Sequence, residues 1–334
     1  MENKVKAVFA FYLLFISSHM FAKENAHTHN SGHANHVYAP VGVMGEHPHS
    51  KGDWMFTYAY NTMSMNGNLS GKDDVSTSEV LTDFMVAPTS MTMQMHMFGL
   101  MYGVNEKFMI MAMMPYNLIS MDHVTRMGAK FTTKSKGIGD LKLSSTNTVF
   151  ERDKQRALIN IEVSVPTGSI DERDDTPAGT NQKLPYSMQL GSGTYDFTPG
   201  ITYTKNINIW SWGAQAKAII RTGRNDNNYR LGNKLKFTTW AVRKINNYFN
   251  GSLRIDVNSW GNIKGTDPEL NTTVVPTSRA DLRGGKRVDF LFGVDFTKSN
   301  NRFGIEAGFP IYQNLDGPQL AADNRISIVG QIIF

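Results

Sequence analysis

The sequence predicts an all-β protein, a transmembrane antiparallel up-and-down β-barrel of about twelve strands. Three observations lead to this prediction. An N-terminal targeting segment marks the chain for export, and the rest alternates in polarity in runs of about ten residues. The connections between these runs alternate between short and long.

Residues 1–22 have the composition of a secretory signal peptide. Lys4 and Lys6 precede an apolar run over residues 7–16, and the small residue Ala22 offers a cleavage site. The apolar run is too short to span a bilayer as a helix. No later stretch is long and apolar enough for a transmembrane helix, so any membrane span must be made by strands.

The composition excludes several other classes of protein. The 334 residues include no cysteine, which rules out disulfide scaffolds, thiolate metal sites and a cysteine nucleophile. Phenylalanine (19), tyrosine (12) and tryptophan (5) favour strands. The net charge of +5 arises from scattered basic residues, so we expect no nucleic-acid partner.

Twelve runs carry the alternation, and each is a predicted strand. They span residues 54–65, 91–102, 107–116, 140–150, 156–166, 194–204, 210–221, 236–244, 249–259, 286–296, 302–312 and 324–334. Connections after even-numbered runs are short, whereas those after odd-numbered runs are long: roughly 66–90, 117–139, 167–193, 222–235, 260–285 and 313–323. Outer-membrane barrels have short periplasmic turns and long external loops, so residues 53–334 are predicted to form the barrel.

The final run also indicates the destination of the chain. It ends on Phe334, after Ile326, Ile328 and Ile332 on the same face. A terminal aromatic residue in this pattern resembles the assembly signal of Gram-negative outer-membrane proteins. We therefore expect location in the Gram-negative outer membrane, contact with its lipid, and insertion by the barrel-assembly machinery through Phe334.

Methionine is concentrated in the first part of the chain. Sixteen methionines lie between Met44 and Met127, and only Met188 follows. Eleven occupy alternate positions of three predicted strands, opposite the aromatic residues that suit a lipid-facing surface: Met55, Met63, Met65, Met91, Met93, Met95, Met97, Met101, Met109, Met111 and Met113. We expect these side chains to point into the lumen.

Three explanations of these inward methionines remain open, because barrel interiors are usually polar. Thioether is a soft ligand that suits Cu(I), and strands about 5 Å apart bring several sulfurs within reach of one ion. Methionine is also an adaptable gap-filler that packs against a plug or the N-terminal segment. The third explanation is an apolar lining for a hydrophobic cargo.

Histidine occurs in the same part of the chain. Residues 23–52 contain His27, His29, His33, His36, His47 and His49 among Gly, Asn, Ser and Pro. We expect this tract to be flexible, to lie in the periplasm or fold into the lumen, and to bind metal, with a solvated linker without function as the alternative. His123 lies beside Met121 and Met127 and is placed to extend the methionine ligand set.

His96 does not fit the inward pattern. Its parity places it with Phe98 on the lipid-facing side of the predicted strand 91–102. Either this strand extends beyond the membrane near His96, or a bulge near Gly99 shifts the register.

Later strands place charged residues on the inward face. They are Lys217, Arg221, Arg254, Asp256, Arg287, Asp289, Asp295, Arg302, Glu306 and Arg325. The run 324–334 should pair with the run 54–65 to close the barrel, so that one wall is soft and apolar and the other is charged. Opposite charges on neighbouring strands are expected to neutralise each other or to line a polar path.

Enzymatic activity is not expected. An outer-membrane hydrolase needs a Ser–His pair with an orienting partner. No histidine follows His123, and no G-x-S-x-G turn precedes a helix. The sequence therefore offers no catalytic residue.

Four short motifs carry a family resemblance. They are Pro166-Thr167-Gly168-Ser169, Gly191-Ser192-Gly193-Thr194-Tyr195-Asp196, Phe309-Pro310-Ile311-Tyr312-Gln313 and Gly317-Pro318-Gln319-Leu320. With them, residues 138 to 334 resemble the Gram-negative outer-membrane proteins linked to meta-pathway phenol degradation, generically called transporters. The resemblance implies a β-barrel and a transport role, without binding residues. The Met- and His-rich part before residue 138 is more similar in composition to copper-resistance outer-membrane proteins.

Together these observations favour a porin-like outer-membrane channel or transporter. The working hypothesis is that the His-rich tract collects copper or another soft metal. The inward methionines of the first three predicted strands then pass the ion on by ligand exchange. Copper is then cargo, no cofactor is required, and a periplasmic metal carrier is a candidate partner. The alternative is passive uptake of small hydrophobic or aromatic compounds.

Overall fold

Eleven strands form one closed antiparallel wall. The computed structural model of the chain describes residues 38–45 and 50–334. The wall strands are β1 Trp54–Gly71, β3 Val86–Asn105, β4 Phe108–Thr125, β6 Leu141–Arg152, β7 Gln155–Val165, β10 Asp196–Ile207, β11 Trp210–Arg221, β13 Lys234–Lys244, β14 Phe249–Trp260, β16 Gly285–Lys298 and β17 Asn301–Ile333. Each pairs with the next in this order, and β17 pairs back onto β1 to close the barrel.

The last strand, β17, spans the height of the barrel twice. β17 has 33 residues, whereas about ten suffice for a membrane span. It pairs antiparallel with β16 through residues 301–315 and antiparallel with β1 through residues 315–333. A closed ring with an odd number of strands cannot be antiparallel throughout, so β17 must reverse its direction between these two parts. The barrel therefore contains twelve strand passes, because β17 counts as two, and the predicted barrel of about twelve strands is confirmed.

All twelve predicted runs coincide with wall strands, apart from one or two end residues in five of them, but the wall continues further on the external side than expected. β1, β3 and β4 extend into the predicted loops 66–90 and 117–139, and β5 (Lys130–Ile138) pairs with the outer part of β4. The predicted loop 313–323 is likewise part of β17. These extensions escaped prediction because their outward side chains, such as Ser90, Ser120 and Asp122, are polar, which removes the apolar half of the alternation.

The outer surface carries an apolar band. Exposed side chains include Trp54, Phe98, Leu100, Ile110, Ile159, Ile161, Phe292, Val294, Phe303, Ile305 and Phe309. A band of this kind is the surface that an outer-membrane barrel presents to lipid, and the predicted outward faces are confirmed. No helix in the described residues is long and apolar enough to cross a membrane.

Short elements cover the external end of the barrel. They are the strands β2 Asp73–Val75, β8 Arg173–Thr176, β9 Gly179–Lys183, β12 Tyr229–Arg230 and β15 Lys264–Gly265, the helix α1 Thr77–Asp83, and 3-10 helices at Tyr186–Met188, Pro276–Ser278 and Ala280–Leu282. A capping box begins α1: Glu79 N donates to Ser76 Oγ at 3.2 Å, and Ser76 N donates to Glu79 Oε2 at 2.7 Å. Val80 of α1 is buried against this external layer.

Two of the four motifs meet at one acidic side chain. The Asp140 carboxylate accepts hydrogen bonds from Gly168 N at 3.0 Å, from Ser192 N at 2.8 Å and from Ser192 Oγ at 2.7 Å. Thr167 Oγ1 donates to the carbonyl of Gly139 at 2.8 Å. The motif residues therefore hold both ends of the external loop 166–195 to the start of β6.

Replacing Asp140 with alanine is expected to loosen this loop. The change leaves the donors of Gly168 and Ser192 without their acceptor, and each unsatisfied buried donor costs about 1–3 kcal/mol. Cleavage of the loop by an added protease on intact cells should become faster. Asp226→Ala, in a neighbouring exposed turn, is the matched control. Equal cleavage rates for both variants would show that Asp140 does not hold the loop.

Candidate functional site

The inward methionines line one side of the lumen, as the sequence predicts. Met55, Met91, Met101, Met109, Met111 and Met113 are buried, whereas Met63, Met65, Met93, Met95 and Met97 are half-buried. Their strands, β1, β3 and β4, are neighbours in the wall. This side of the barrel is called the thioether wall below.

The strand register aligns these methionines in rows across the wall. Met55 of β1 lies opposite Met101 of β3, which lies opposite Met111 of β4. Nearer the external end, Met65 lies opposite Met91, which lies opposite Met121. Directly opposed residues have Cβ atoms about 4.5–5.5 Å apart, so each row holds three thioethers within reach of one another.

Along β3 the thioethers also form a nearly continuous column. Inward methionines occur at every second residue from Met91 to Met97, and again at Met101. The position between them is Gly99, which has no side chain, and Met113 of β4 lies opposite it. A Cβ added to Gly99 would lie 3.6 Å from Met113 Cγ, so Met113 covers the gap. The column is therefore not interrupted at the glycine.

The periplasmic half of the wall forms the inner cluster, defined as Met44, Met55, Met97, Met101, Met109, Met111 and Met113. Ile333 of β17 packs against it. Met44 lies outside the predicted strands, and nothing in its local sequence indicates that it joins this group. Its packing supports the gap-filling explanation for this half of the wall.

The external half forms the outer cluster, defined as Met65, Met91, Met93, Met121 and Met188. Ile119, Leu184 and Leu190 are packed among these methionines, and Leu320 borders them. Met188 is 0% exposed and comes from the loop 166–195. The sequence shows Met188 only as an isolated methionine, because its neighbours along the chain have no periodicity.

His123 lies at the edge of the outer cluster. It follows Met121 on the inward face of β4, is 4% exposed, and stacks on Phe131 with 4.8 Å between ring centroids. Burial lowers the pKa of the imidazole to about 4, so it is neutral at physiological pH. Met127, by contrast, is 97% exposed. The prediction that Met127 joins this ligand set is wrong, because the chain turns away from the lumen after β4.

His96 points outward, and its register is regular. The pairing of β3 is uninterrupted from Met91 to Gly103, which excludes the predicted alternative of a bulge near Gly99. The imidazole Nδ1 lies 2.8 Å from the Tyr58 hydroxyl, and the ring also contacts Tyr60. Polar side chains follow Tyr60 on the outward face of β1, so His96 lies at the upper edge of the apolar band.

Residues 38–45, here called the lumenal segment, cross the interior of the barrel. Val41 packs against Ala59 of β1, whereas Val43 packs against Trp240 of β13. Gln215 Nε2 donates to the Met44 carbonyl at 3.1 Å, and Asn160 Nδ2 donates to the Gly45 carbonyl at 3.0 Å. Arg302 Nη2 donates to the Ala39 carbonyl at 2.6 Å, and its guanidinium lies 5.0 Å from the centre of the Tyr38 ring. The segment therefore contacts walls on opposite sides of the lumen.

The lumenal segment corrects one expectation and leaves others open. The tract 23–52 is predicted to be flexible and to lie in the periplasm or fold into the lumen. Residues 38–45 do lie in the lumen, but they are not a flexible, solvated stretch, because Tyr38, Ala39, Val41 and Val43 are buried. Apolar contacts and carbonyl hydrogen bonds hold this part in the barrel. The predicted metal ligands His27, His29, His33, His36, His47 and His49, and the signal peptide, lie outside the described residues.

The predicted lumen charges form ion pairs, so they neutralise each other, which is one of the two outcomes expected. Some pairs join neighbouring strands, whereas others reach past an intervening strand. Arg302 lies 3.2 Å from Asp295, Arg287 lies 3.0 Å from Asp289, and Arg325 lies 2.8 Å from Asp256 and 2.9 Å from Asp289. Arg254 pairs with Glu306, and Arg221 pairs with Asp196. Lys217 lies on the inward face of β11 near Glu162. Glu162 also lies 3.8 Å from Lys142. Neither Glu162 nor Lys142 belongs to the set of lumen charges that the sequence predicts.

The charged side of the lumen meets the thioether wall at Arg287 and Met63, where Arg287 Nη1 lies 3.3 Å from the Met63 sulfur. Across residues 38–45 and 50–334, no group of three or more His, Asp or Glu side chains is placed to hold a metal ion. The distinctive chemistry of the described lumen is therefore the thioether wall.

The barrel is similar to known outer-membrane structures. An outer membrane channel from Pseudomonas putida F1 aligns with a TM-score of 0.65 at 12% sequence identity, covering 87% of this chain and 99% of that one. The NanC porin aligns with a TM-score of 0.42 at 9% identity, and the KdgM porin with 0.41 at 6%; each comparison covers 83% of this chain and 98% of the porin. These likenesses show the fold alone. No known family model matches the chain, and no curated protein matches it in sequence.

Proposed function

We propose that this outer-membrane β-barrel is a channel that passes a soft metal ion, copper(I) or a close equivalent, along its thioether wall. The observation that carries the proposal is the register of β1, β3 and β4, which aligns methionines in rows and in a nearly continuous column. Thioether sulfur prefers soft ions such as Cu(I) to Ca²⁺ or Mg²⁺. Repeated, individually weak sites are what conduction requires.

The spacing of the column suits transfer by ligand exchange. Residues two apart on a strand are separated by about 6.6 Å. Flexible methionine side chains shorten the distance between sulfurs, so one ion can contact two successive residues before it leaves the first. Met44 extends the wall onto the lumenal segment, so the segment that crosses the lumen also contributes ligand chemistry.

Changing Met93, Met95, Met109 and Met111 together to leucine is expected to abolish most Cu(I) binding. Leucine keeps the volume and apolar character of methionine but removes the sulfur. The measurement is competition of the purified, refolded protein with a chromophoric Cu(I) chelator. We expect the apparent affinity to fall at least tenfold, which is about 1.4 kcal/mol.

The matched control is the double variant Met85→Leu, Met127→Leu. These two methionines are 57% and 97% exposed and lie away from the thioether wall. The control should bind Cu(I) as the natural protein does. If the fourfold variant and the natural protein bind equally, or neither binds, the methionines serve packing or cargo lining instead.

Passive uptake of a small hydrophobic or aromatic compound is the second candidate. The observation that favours it is the inner cluster, whose methionines are buried against one another as in an apolar core. The resemblance of residues 138 to 334 to proteins linked to phenol degradation points the same way. The fourfold leucine variant separates the two candidates. If the protein passes copper, the variant should lose copper binding. If it takes up apolar solutes, the variant should retain that uptake, because leucine keeps the apolar lining.

A further inference from the structure

Met188 is brought to the thioether wall by a loop that is held firmly in place. It ends the 3-10 helix Tyr186–Met188 in the external loop 166–195. Ser135 Oγ of β5 donates to the Met188 carbonyl at 2.7 Å, and Gln189 Nε2 donates to the Leu184 carbonyl at 2.7 Å. The Asp140 junction fixes both ends of the loop. Met188 therefore has a defined position over Met91 and Met121.

Packing alone does not account for the residue type at this position. Leu184 and Leu190 of the same loop already fill the same cluster with branched apolar side chains. Met188 is the only methionine after Met127, and it is completely buried against the wall that holds the others. Three thioethers thus converge from β3, β4 and the loop, with Met91 directly opposite Met121 in the register.

Polar atoms beside this cluster have no hydrogen-bond partner among the described residues. His123 Nδ1 is one of them, on the inward face of β4 two residues after Met121. Thr133 Oγ1, on the residue of β5 directly opposite Met121, is another. Buried polar groups in proteins are almost always bonded to a partner. The imidazole of His123, buried beside three thioethers, is therefore available to a ligand. Imidazole nitrogen and thioether sulfur together suit a soft monovalent ion.

We propose that Met91, Met121, Met188 and His123 form an external capture site for a soft monovalent cation, Cu(I) or Ag(I). The inference rests on the proposed function for its direction, since Met93 and Met95 continue from this site down the column on β3. The site lies on the external side of Tyr60 and His96, beyond the apolar band. The loop supplies one ligand from a fixed position, so the site is already assembled before an ion arrives.

The test is calorimetric titration of the full-length protein in detergent with Ag(I) ions. Met188→Leu removes the loop sulfur at constant volume, and His123→Phe removes the nitrogen while retaining the stack on Phe131. Each change is expected to weaken one Ag(I) site at least tenfold, or about 1.4 kcal/mol. Met127→Leu should change nothing. X-ray absorption of the bound silver should show a nitrogen neighbour that His123→Phe removes.

A variant of the inner cluster, Met101→Leu with Met109→Leu, distinguishes the capture site from the conducting column. If Met188→Leu and His123→Phe bind silver normally while the inner variant loses an ion, the capture site is wrong and the proposed function stands. If only the outer variants lose an ion and metal transport survives in the inner variant, the capture site stands and the column is wrong. If the natural protein binds no silver, both proposals are wrong.

Discussion

Deletion of the lumenal segment, residues 38–45, is expected to raise the ionic conductance of the channel several-fold. The segment contacts β1, β7, β11, β13 and β17, so it occupies the lumen from one wall to the other. Barrels of about eight strands are filled by their own side chains, whereas those of 16 or more leave an aqueous channel. A barrel with twelve passes has room for a water-filled path once the segment is removed. Single-channel recording in a planar bilayer measures the change.

Gly42 allows the same result to be tested with one substitution. A Cβ at this position would lie 2.5 Å from Arg254 Nη2 and 2.6 Å from Glu306 Oε1. Both atoms belong to a buried ion pair, so moving them aside would disrupt that pair. Gly42→Leu should therefore displace the lumenal segment and raise the conductance, although less than the deletion does.

The control for Gly42 is Gly330→Leu. Gly330 lies on the outward face of β17, and a Cβ there would meet no atom within 4 Å. Conductance of this variant should equal that of the natural protein. Unchanged conductance in both the deletion and Gly42→Leu would show that the segment does not obstruct the path of the ions.

Glu306→Gln is expected to lower the free energy of unfolding by about 3–5 kcal/mol. Glu306 is 1% exposed and Arg254 is 3% exposed, and Arg254 Nε donates to Glu306 Oε2 at 3.0 Å. Loss of the carboxylate leaves the arginine buried, with Asp256 at 3.7 Å as its remaining acidic partner among the described residues. Removing one partner of a buried pair costs far more than the pair itself contributes, because an uncompensated charge remains. Urea unfolding in lipid vesicles, followed by tryptophan fluorescence, measures the loss.

Two comparisons identify the cause of that loss. Replacing both partners, Arg254→Met with Glu306→Leu, should restore part of the stability, because no buried charge remains. Asp281→Asn breaks the exposed pair with Arg279 and should change the free energy of unfolding by only about 0–1 kcal/mol. If Glu306→Gln and Asp281→Asn have equally small effects, the buried pair does not stabilise the barrel.

The strands and their faces were predictable because alternation along a strand is a local property. A residue that faces lipid must be apolar, and its neighbours face the lumen, so the pattern repeats every two residues. The inward orientation of Met93 and the outward orientation of His96 were read in this way, and both agree with the structure. The same rule failed in the external extensions of β3 and β4, where the outward side faces water and side chains such as Ser90, Ser120 and Asp122 are polar.

Tertiary structure decided which distant residues join the candidate site. Met44 and Met188 lie in segments without periodicity, and they reach the thioether wall only because the N-terminal residues turn into the lumen and an external loop folds over it. The partners of Arg254 and Arg325 likewise depend on register and on distances across the lumen.

The sequence by itself determined that the chain builds a barrel of about twelve strands and that one inner wall is rich in thioether. These features follow from composition and from the alternation of polarity along each strand, which can be read from neighbouring residues alone. Only the tertiary structure showed the lumenal segment, the closed external loop and the ion pairs. Those contacts join residues far apart in the chain, and their energies depend on burial and distance, which no local pattern records.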